Sequence, residues 1–249
     1  MSAVVRFQHA QVTHAGAVRE ANEDNILARP PCFVVADGIG GAAAGAMASA
    51  LVTEEFSLLP LQRRISPADV ERALVHAHQR IIRLQPVHGG RQSGATVCGA
   101  VAVDDGDGPR WVLFNVGDTR IYRVAPQTTE LQQVTVDHSR VQELLDAGAI
   151  TPEQAEHHPE RHVVTRAVGA KSFRPDLWNV PVVAGERLLL CSDGLLTSVP
   201  YDRIRQVATE RSPQQAVDEL LRLALEAKAQ DNVSIVVVDV ESLDDSAAR

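Results

Sequence analysis

An α+β architecture, with antiparallel sheet and helices packed outside it, is predicted by three features of the sequence. Short β-rich runs alternate with amphipathic stretches, several of those runs are almost continuously apolar, and the connectors between consecutive runs are short. The β-rich runs fall at 32–36, 95–103, 111–116, 120–124, 187–191 and 233–240. Their near-continuous apolar character predicts strands covered on both faces. Runs 95–103, 111–116 and 120–124 are joined by short Gly/Asp connectors, which predict an antiparallel meander in place of right-handed crossovers.

Four helices are predicted between the strands. One over 42–59 is built on small residues (Ala42, Ala43, Ala44, Ala46, Ala48 and Ala50), suited to close packing. A second, over 66–85, opens Ser66-Pro67-Ala68-Asp69, a cap residue, a proline at the first helical position and a capping-box acid. Val70, Leu74, Ala77, Ile81 and Leu84 then form an apolar face. Thr151-Pro152-Glu153-Gln154 opens a short helix, and Ser212-Pro213-Gln214-Gln215 opens another over 212–228.

The 249 residues, 45% hydrophobic and 22% charged, suit one large domain or two small ones with a sizeable core. Net charge is −8, and no Lys/Arg run gives a nucleic-acid footprint. A phosphorylated substrate would meet repulsion here unless a metal or a local Arg offset it. Cys32, Cys98 and Cys191 each lie in an apolar run and are expected as buried free thiols. The odd cysteine count, the lack of an apolar h-region near the N-terminus and the lack of a membrane-length apolar stretch predict a cytoplasmic chain with no membrane partner.

The chemistry concentrates on aspartates beside β-rich runs. Cys-Phe-Val-Val-Ala-Asp37-Gly38 and Leu-Leu-Leu-Cys-Ser-Asp193-Gly194 are apolar runs that stop at Asp-Gly. Asn115-Val116-Gly117-Asp118 is a third such run, and Asp231-Asn232 precedes the last one. Singly, each reads as a turn dipeptide. Jointly, they read as carboxylates on rigid supports, a donor set that hard divalent cations such as Mg²⁺ or Mn²⁺ prefer. Gly38, lacking a Cβ, leaves its carbonyl free to approach an ion. Arg19 is suited to gripping phosphate oxygens, the alternative being a surface pair with Glu23 or Asp24. Other chemistries lack their motifs. The residues six after each cysteine are Gly38, Asp104 and Thr197, so there is no Cys-x5-Arg loop, and there is no Gly-x-Ser-x-Gly, His-Glu-x-x-His or P-loop. His157, His158 and His162 are interrupted by Pro159 and predict a solvated loop.

These residues fall into motifs that resemble the metal-dependent protein phosphatases of type 2C, in particular the compact bacterial serine/threonine phosphatases. In order they are Arg19-x-x-Asn22-Glu23-Asp24, Val35-Ala36-Asp37-Gly38-Ile39-Gly40-Gly41, Ser93-Gly94-Ala95-Thr96 and Asn115-Val116-Gly117-Asp118-Thr119-Arg120. Asp137-His138-Ser139, Thr165-Arg166-Ala167-Val168-Gly169, Ser192-Asp193-Gly194 and Asp231-Asn232-Val233-Ser234 follow. The resemblance runs from about Gly16 to Val240. It implies a four-layer sandwich of two packed antiparallel sheets flanked by helices, forming a single catalytic domain over 1–249 with a flap at about 138–165.

The resemblance also implies roles. Asp37 would bridge two Mn²⁺ or Mg²⁺ ions, with the Gly38 carbonyl on one of them. Asp193 and Asp231 would complete the other site, Glu23 would act through metal-bound water, and Asp118 would help hold a third, weaker ion. Arg19 would bind substrate phosphate. The implied reaction is single-step hydrolysis of phosphoserine and phosphothreonine in proteins by a metal-bridging hydroxide, opposing a bacterial Hanks-type kinase, by a monomer. Two positions depart from the pattern. Ile39 stands where eukaryotic members carry a histidine proposed as general acid, which leaves leaving-group protonation to another source such as water. Ala46 stands where a glutamate is common. The alternative is a regulatory module of the same fold that binds a phosphoprotein without turnover.

Overall fold

The computed structural model describes residues 4–62, 64–84, 93–104, 106 and 108–244. Ten strands are present: β1 (Val4–His14), β2 (Asn25–Arg29), β3 (Cys32–Ile39), β4 (Gly94–Asp104), β5 (Pro109–Val116), β6 (Arg120–Val124), β7 (Leu131–Gln133), β8 (Asp176–Pro181), β9 (Arg187–Cys191) and β10 (Val233–Asp244). Among the same described residues seven α-helices accompany them: α1 (Ala42–Ser57), α2 (Pro67–Leu84), α3 (Arg140–Asp146), α4 (Pro152–Glu156), α5 (Asp193–Ser198), α6 (Tyr201–Glu210) and α7 (Pro213–Glu226). One five-stranded sheet has the order β1-β10-β9-β6-β7, the other β2-β3-β4-β5-β8. Every pairing is antiparallel.

Strand alternation builds three apolar layers from these runs. Phe33 and Val35 of β3, with Trp111 and Leu113 of β5, face Leu188, Leu190, Val236 and Val238 of the other sheet. Their neighbours Cys32, Val34, Ala36 and Phe114 face outward onto Ala48, Val52 and Phe56 of α1 and Leu74 and Ile81 of α2. On the far side, Leu189, Cys191, Ile235 and Val237 pack on α5, α6 and α7 through Leu195, Ile204, Val207, Val217 and Leu220. Helix, sheet, sheet, helix is the predicted four-layer order, and it explains why the central strands read as unbroken apolar runs. Each layer holds one of the three cysteines, all free and buried.

Several expectations need correction. The helix read over 42–59 ends at Ser57, and a 3-10 turn, Leu59–Leu61, takes over. The helix read over 66–85 spans Pro67–Leu84, and residue 85 lies outside the described residues. Its Ser66 hydroxyl donates to Asp69 at 2.5 Å where a capping box would have it accept, and Asp69 also accepts the Ser66 N–H at 2.8 Å. The reciprocal boxes do form at Thr151/Gln154 and Ser212/Gln215. The helix read over 212–228 spans Pro213–Glu226.

The predicted meander also fails at its second connector. β4 and β5 pair as a hairpin, but Gly117-Asp118-Thr119 carries the chain out of one sheet and into the other, where β6 pairs with β9 and β7. Gly117 makes this corner possible. Its φ is +112°, and a Cβ would stand 2.3 Å from the Thr96 side chain. Asp118 therefore sits at the crossing point between sheets.

Candidate active site

The predicted acids gather at one end of the sandwich, in a cleft of about 710 Å³ that Arg19, Glu23, Asp37, Gly38, Asp118, Asp193 and Asp231 all line. Each reaches it from a different element. Asp37 lies inside β3, opposite Thr96 of β4, so the strand continues through Asp-Gly to Ile39 and the turn reading fails. Asp193 is the first residue of α5, not a turn, and Ser192 is its N-cap. Asp118 stands at the sheet crossing, and Asp231 just before β10. The missing Cβ of Gly38 serves a further purpose beyond freeing its carbonyl: it would stand 2.3 Å from the Gly45 carbonyl, so α1 can close onto β3 only over a glycine. Gly45 in turn leaves room for Glu23, whose Oε2 lies 2.0 Å from where a Gly45 Cβ would be.

The loop carrying Arg19 and Glu23 is held by Asn232. Its Oδ1 accepts the Glu23 N–H at 2.8 Å, and its Nδ2 donates to the Ala15 and Ala21 carbonyls, both at 3.0 Å. Ser49 of α1 grips the same loop from the other side, its hydroxyl donating to the Glu23 carbonyl at 2.5 Å. Arg19 pairs with Asp231 at 2.8 Å, not with Glu23 or Asp24. Its guanidinium stays half exposed and faces the cleft.

The electrostatics are those of crowded like charges. Burial, then the charges of Asp24, Asp193, Asp118 and Asp231, push the Asp37 carboxyl well above the usual range. Burial and the Asp193 charge raise Asp118 to about 7. Asp24, next to Glu23 and 7% exposed, is raised to about 6 chiefly by burial, with the Ser234 and Ser192 hydroxyls opposing the shift. Asp193 is raised by burial and by Asp231, and Glu23 by burial. Among the described residues no three His, Cys, Asp or Glu side chains converge into a ready-made metal cage. The acids instead ring the cleft, near enough to raise one another's proton affinity. A divalent cation fits this donor set on two grounds: the groups are carboxylate oxygens and a backbone carbonyl, and their mutual repulsion is what a cation would relieve.

The segment read as a flap, and the motif that follows it, also reach the cleft. His162, read as part of a solvated loop, is exposed but lines the cleft and opposes the rise in the Asp193 carboxyl. His157 is exposed, as read, whereas His158 is half-buried and its Nδ1 accepts the Glu160 N–H at 3.1 Å. Thr165 and Arg166 also line the wall. The segment they close is pinned at its base by a Ser139–Val164 bridge and by the Thr165 N–H donating to the His138 carbonyl at 2.8 Å.

A family model described as protein phosphatase 2C matches residues 18–234. The chain belongs to this family. Among type 2C relatives, it is 34% identical over 243 residues to the serine/threonine protein phosphatase PstP of Mycobacterium tuberculosis, covering 96% of this chain and 46% of PstP. The chain thus spans about half the length of that relative. It is 31% identical over 245 residues to the protein phosphatase PhpP of Streptococcus pneumoniae, covering 94% of this chain and 97% of PhpP. The type 2C fold is confirmed by a crystal structure of M. tuberculosis PstP, which matches with a TM-score of 0.86 at 33% identity, covering 96% of this chain and 100% of that one. The catalytic domain of PstP in complex with 2 manganese ions matches with a TM-score of 0.85 at 31% identity, covering 96% and 100%.

Proposed function

We propose that this chain is a metal-dependent phosphatase acting on phosphoserine and phosphothreonine in proteins. The observation that carries the proposal is the ring of mutually repelling acids around one cleft, with the Arg19 guanidinium beside them. The relatives named as serine/threonine phosphatases, and the PstP catalytic domain in complex with manganese, support the same reading.

Asp37, the Gly38 carbonyl, Asp193 and Asp231 are the residues that would hold two Mn²⁺ or Mg²⁺ ions, with Glu23 acting through water and Asp118 helping to hold a third. When bound, such ions acidify water and neutralise phosphoryl charge. The chain's own residues do the rest. Arg19 turns between Asp231 and a phosphate oxygen, a bidentate donor within reach of both. Asn232 and Ser49 keep Arg19 and Glu23 over the cleft. Ile39 occupies the cleft rim with no proton to give, so water reaching the open mouth protonates the leaving oxygen.

We further propose one catalytic domain over 1–249, a flap at 138–165 that shapes substrate choice, a monomeric and cytoplasmic state, and an opposing serine/threonine kinase. Among the described residues no helix is long and apolar enough to cross a membrane. The test is hydrolysis of a phosphothreonine peptide. EDTA abolishes turnover and Mn²⁺ restores it. Full turnover in EDTA would end the proposal.

A further inference from the structure

We propose that His138 is a positioning residue for this centre. Through Nδ1 it fixes the corner that carries Asp118, and through Nε2 it fixes the cleft wall that carries Arg166. The role rests on the phosphatase reading of the cleft, because it concerns how that cleft is held.

His138 is 5% exposed, and both of its ring nitrogens are engaged. Nδ1 accepts the Gly117 N–H at 3.0 Å. A nitrogen that accepts carries no proton, so in the neutral ring Nε2 is the protonated one. Nε2 therefore donates to Asp176 Oδ2 at 3.0 Å. Arg166 Nη1 donates to the other oxygen of the same carboxylate, Oδ1, at 3.1 Å. It also stands 3.1 Å from His138 Nε2, so the two donors are held side by side by the one acid between them.

The Nδ1 bond has leverage because of what it grips. Gly117, at φ +112°, is the corner between the sheets, and Asp118 follows it. The Gly117 carbonyl accepts from Asn115 Nδ2 at 3.0 Å and from the His138 N–H at 2.8 Å. The peptide planes on both sides of the Gly117 Cα are thus fixed, and His138 supplies the bond that fixes the first. A glycine has the widest backbone freedom of any residue, so losing that bond frees Asp118 more than it would at another residue type. The Nε2 arm acts elsewhere: Arg166 lines the cleft, and β8 supplies Asp176 to hold it.

Side-chain replacements separate the two arms. An asparagine carries its amide oxygen near the Nδ1 position, and a glutamine carries its amide near Nε2. The readouts are hydrogen exchange at the Gly117 amide in the whole metal-free chain, thermal melting, and kcat and KM on a phosphothreonine peptide with Mn²⁺. His138→Ala should speed Gly117 exchange, raise KM by loosening the Arg166 wall, and lower kcat by about 10- to 100-fold, the usual effect of losing a partner that orients a metal-site group. His138→Asn should restore Gly117 protection and most of kcat while KM stays raised. His138→Gln should do the reverse.

Unchanged Gly117 exchange in a folded His138→Ala would overturn the proposal. So would Asn and Gln variants that behave alike, and this comparison decides the matter if the alanine variant does not fold. A wild-type chain with no metal-dependent turnover would remove the phosphatase reading. The Asn/Gln difference in Gly117 exchange would still test the positioning role by itself.

Discussion

The two ends of strand β9 treat acidic groups in opposite ways. At its start, Glu186 is 1% exposed yet fully partnered. Its Oε1 accepts from Trp111 Nε1 and from the Val183 N–H, both at 2.8 Å, and its Oε2 accepts from Arg123 Nε at 2.6 Å. Beside it, Arg187 grips both oxygens of Asp239, at 2.5 and 2.6 Å. Beyond the strand's last residue, Asp193 faces Asp37, Asp118 and Asp231, and Arg19 on Asp231 is the cation in closest contact with this ring. Burial costs an unpartnered acid at either end. One end offsets that cost with arginine and indole donors. The other leaves it standing, which is how a protein holds a place for a cation it does not itself encode.

Breaking each end should give opposite signatures. The largest effect is expected from Asp193→Asn, which should lower phosphopeptide turnover on the order of 10²–10³-fold, the scale of removing a main electrostatic contributor. Its melting temperature should stay level or rise, because one repelling charge is gone. A fully active Asp193→Asn would remove that residue from the centre. Glu186→Ala should do the reverse, costing about 3–5 kcal/mol of stability by stranding Arg123. Turnover per folded molecule should hold. Urea unfolding with a parallel activity assay reads both, and a stable Glu186→Ala chain would show that the far end is not a structural lock.

A smaller effect is expected from Arg19→Ala. KM should rise by about tenfold, equivalent to one charge-assisted hydrogen bond, with less change in kcat. An unmoved KM would take Arg19 out of phosphate binding.

The smallest effect is a pH dependence confined to the cleft end. Asp24 at about 6 and Asp118 at about 7 both stand above their ordinary 3.8, so the folded chain holds these protons more tightly than the unfolded one. The resulting stabilisation is fully present below about pH 4 and is lost as pH rises through about 6 and 7. In EDTA, stability from this cluster should therefore fall between those limits, and Mn²⁺ should flatten the slope. Denaturant midpoints measured across that range with and without metal check it, and identical slopes would mean that these acids do not share a cation.

The same comparison explains what was legible in the sequence. The acids of the cleft were visible because each follows or precedes an apolar run, and those runs are the central strands, covered on both faces. The four strands that escaped notice, β1, β2, β7 and β8, are the four sheet edges. β1 mixes Gln8, Gln11 and Thr13 among its apolar residues, and no continuous run marks it. The acids' membership of one cleft followed from their shared context. The supports did not follow from it. Gly117-Asp118-Thr119 is as short as a hairpin connector, and only the tertiary structure shows it changing sheets. His162 sits in a loop whose polar composition says nothing of where it folds back. Nothing in the sequence marks Glu186 and Arg187 as partnered, because the indole, arginine and aspartate side chains they meet lie 52 to 75 residues away along the chain.

The pairing of β1 with β10 has a consequence in time. β10 runs between β1 and β9, so the sheet has no continuous centre until the last described strand is in place. Arg19 and Glu23 follow β1, and Asp231 and Asn232 precede β10. The loop that bears Arg19, the proposed phosphate clamp, is therefore fastened by residues that leave the ribosome some two hundred positions later. A nascent or truncated chain can fold its helices and the β2–β3 and β4–β5 hairpins early, since those contacts are local. It cannot assemble the cleft. Competence at this site is thus a report that the chain has been made through β10.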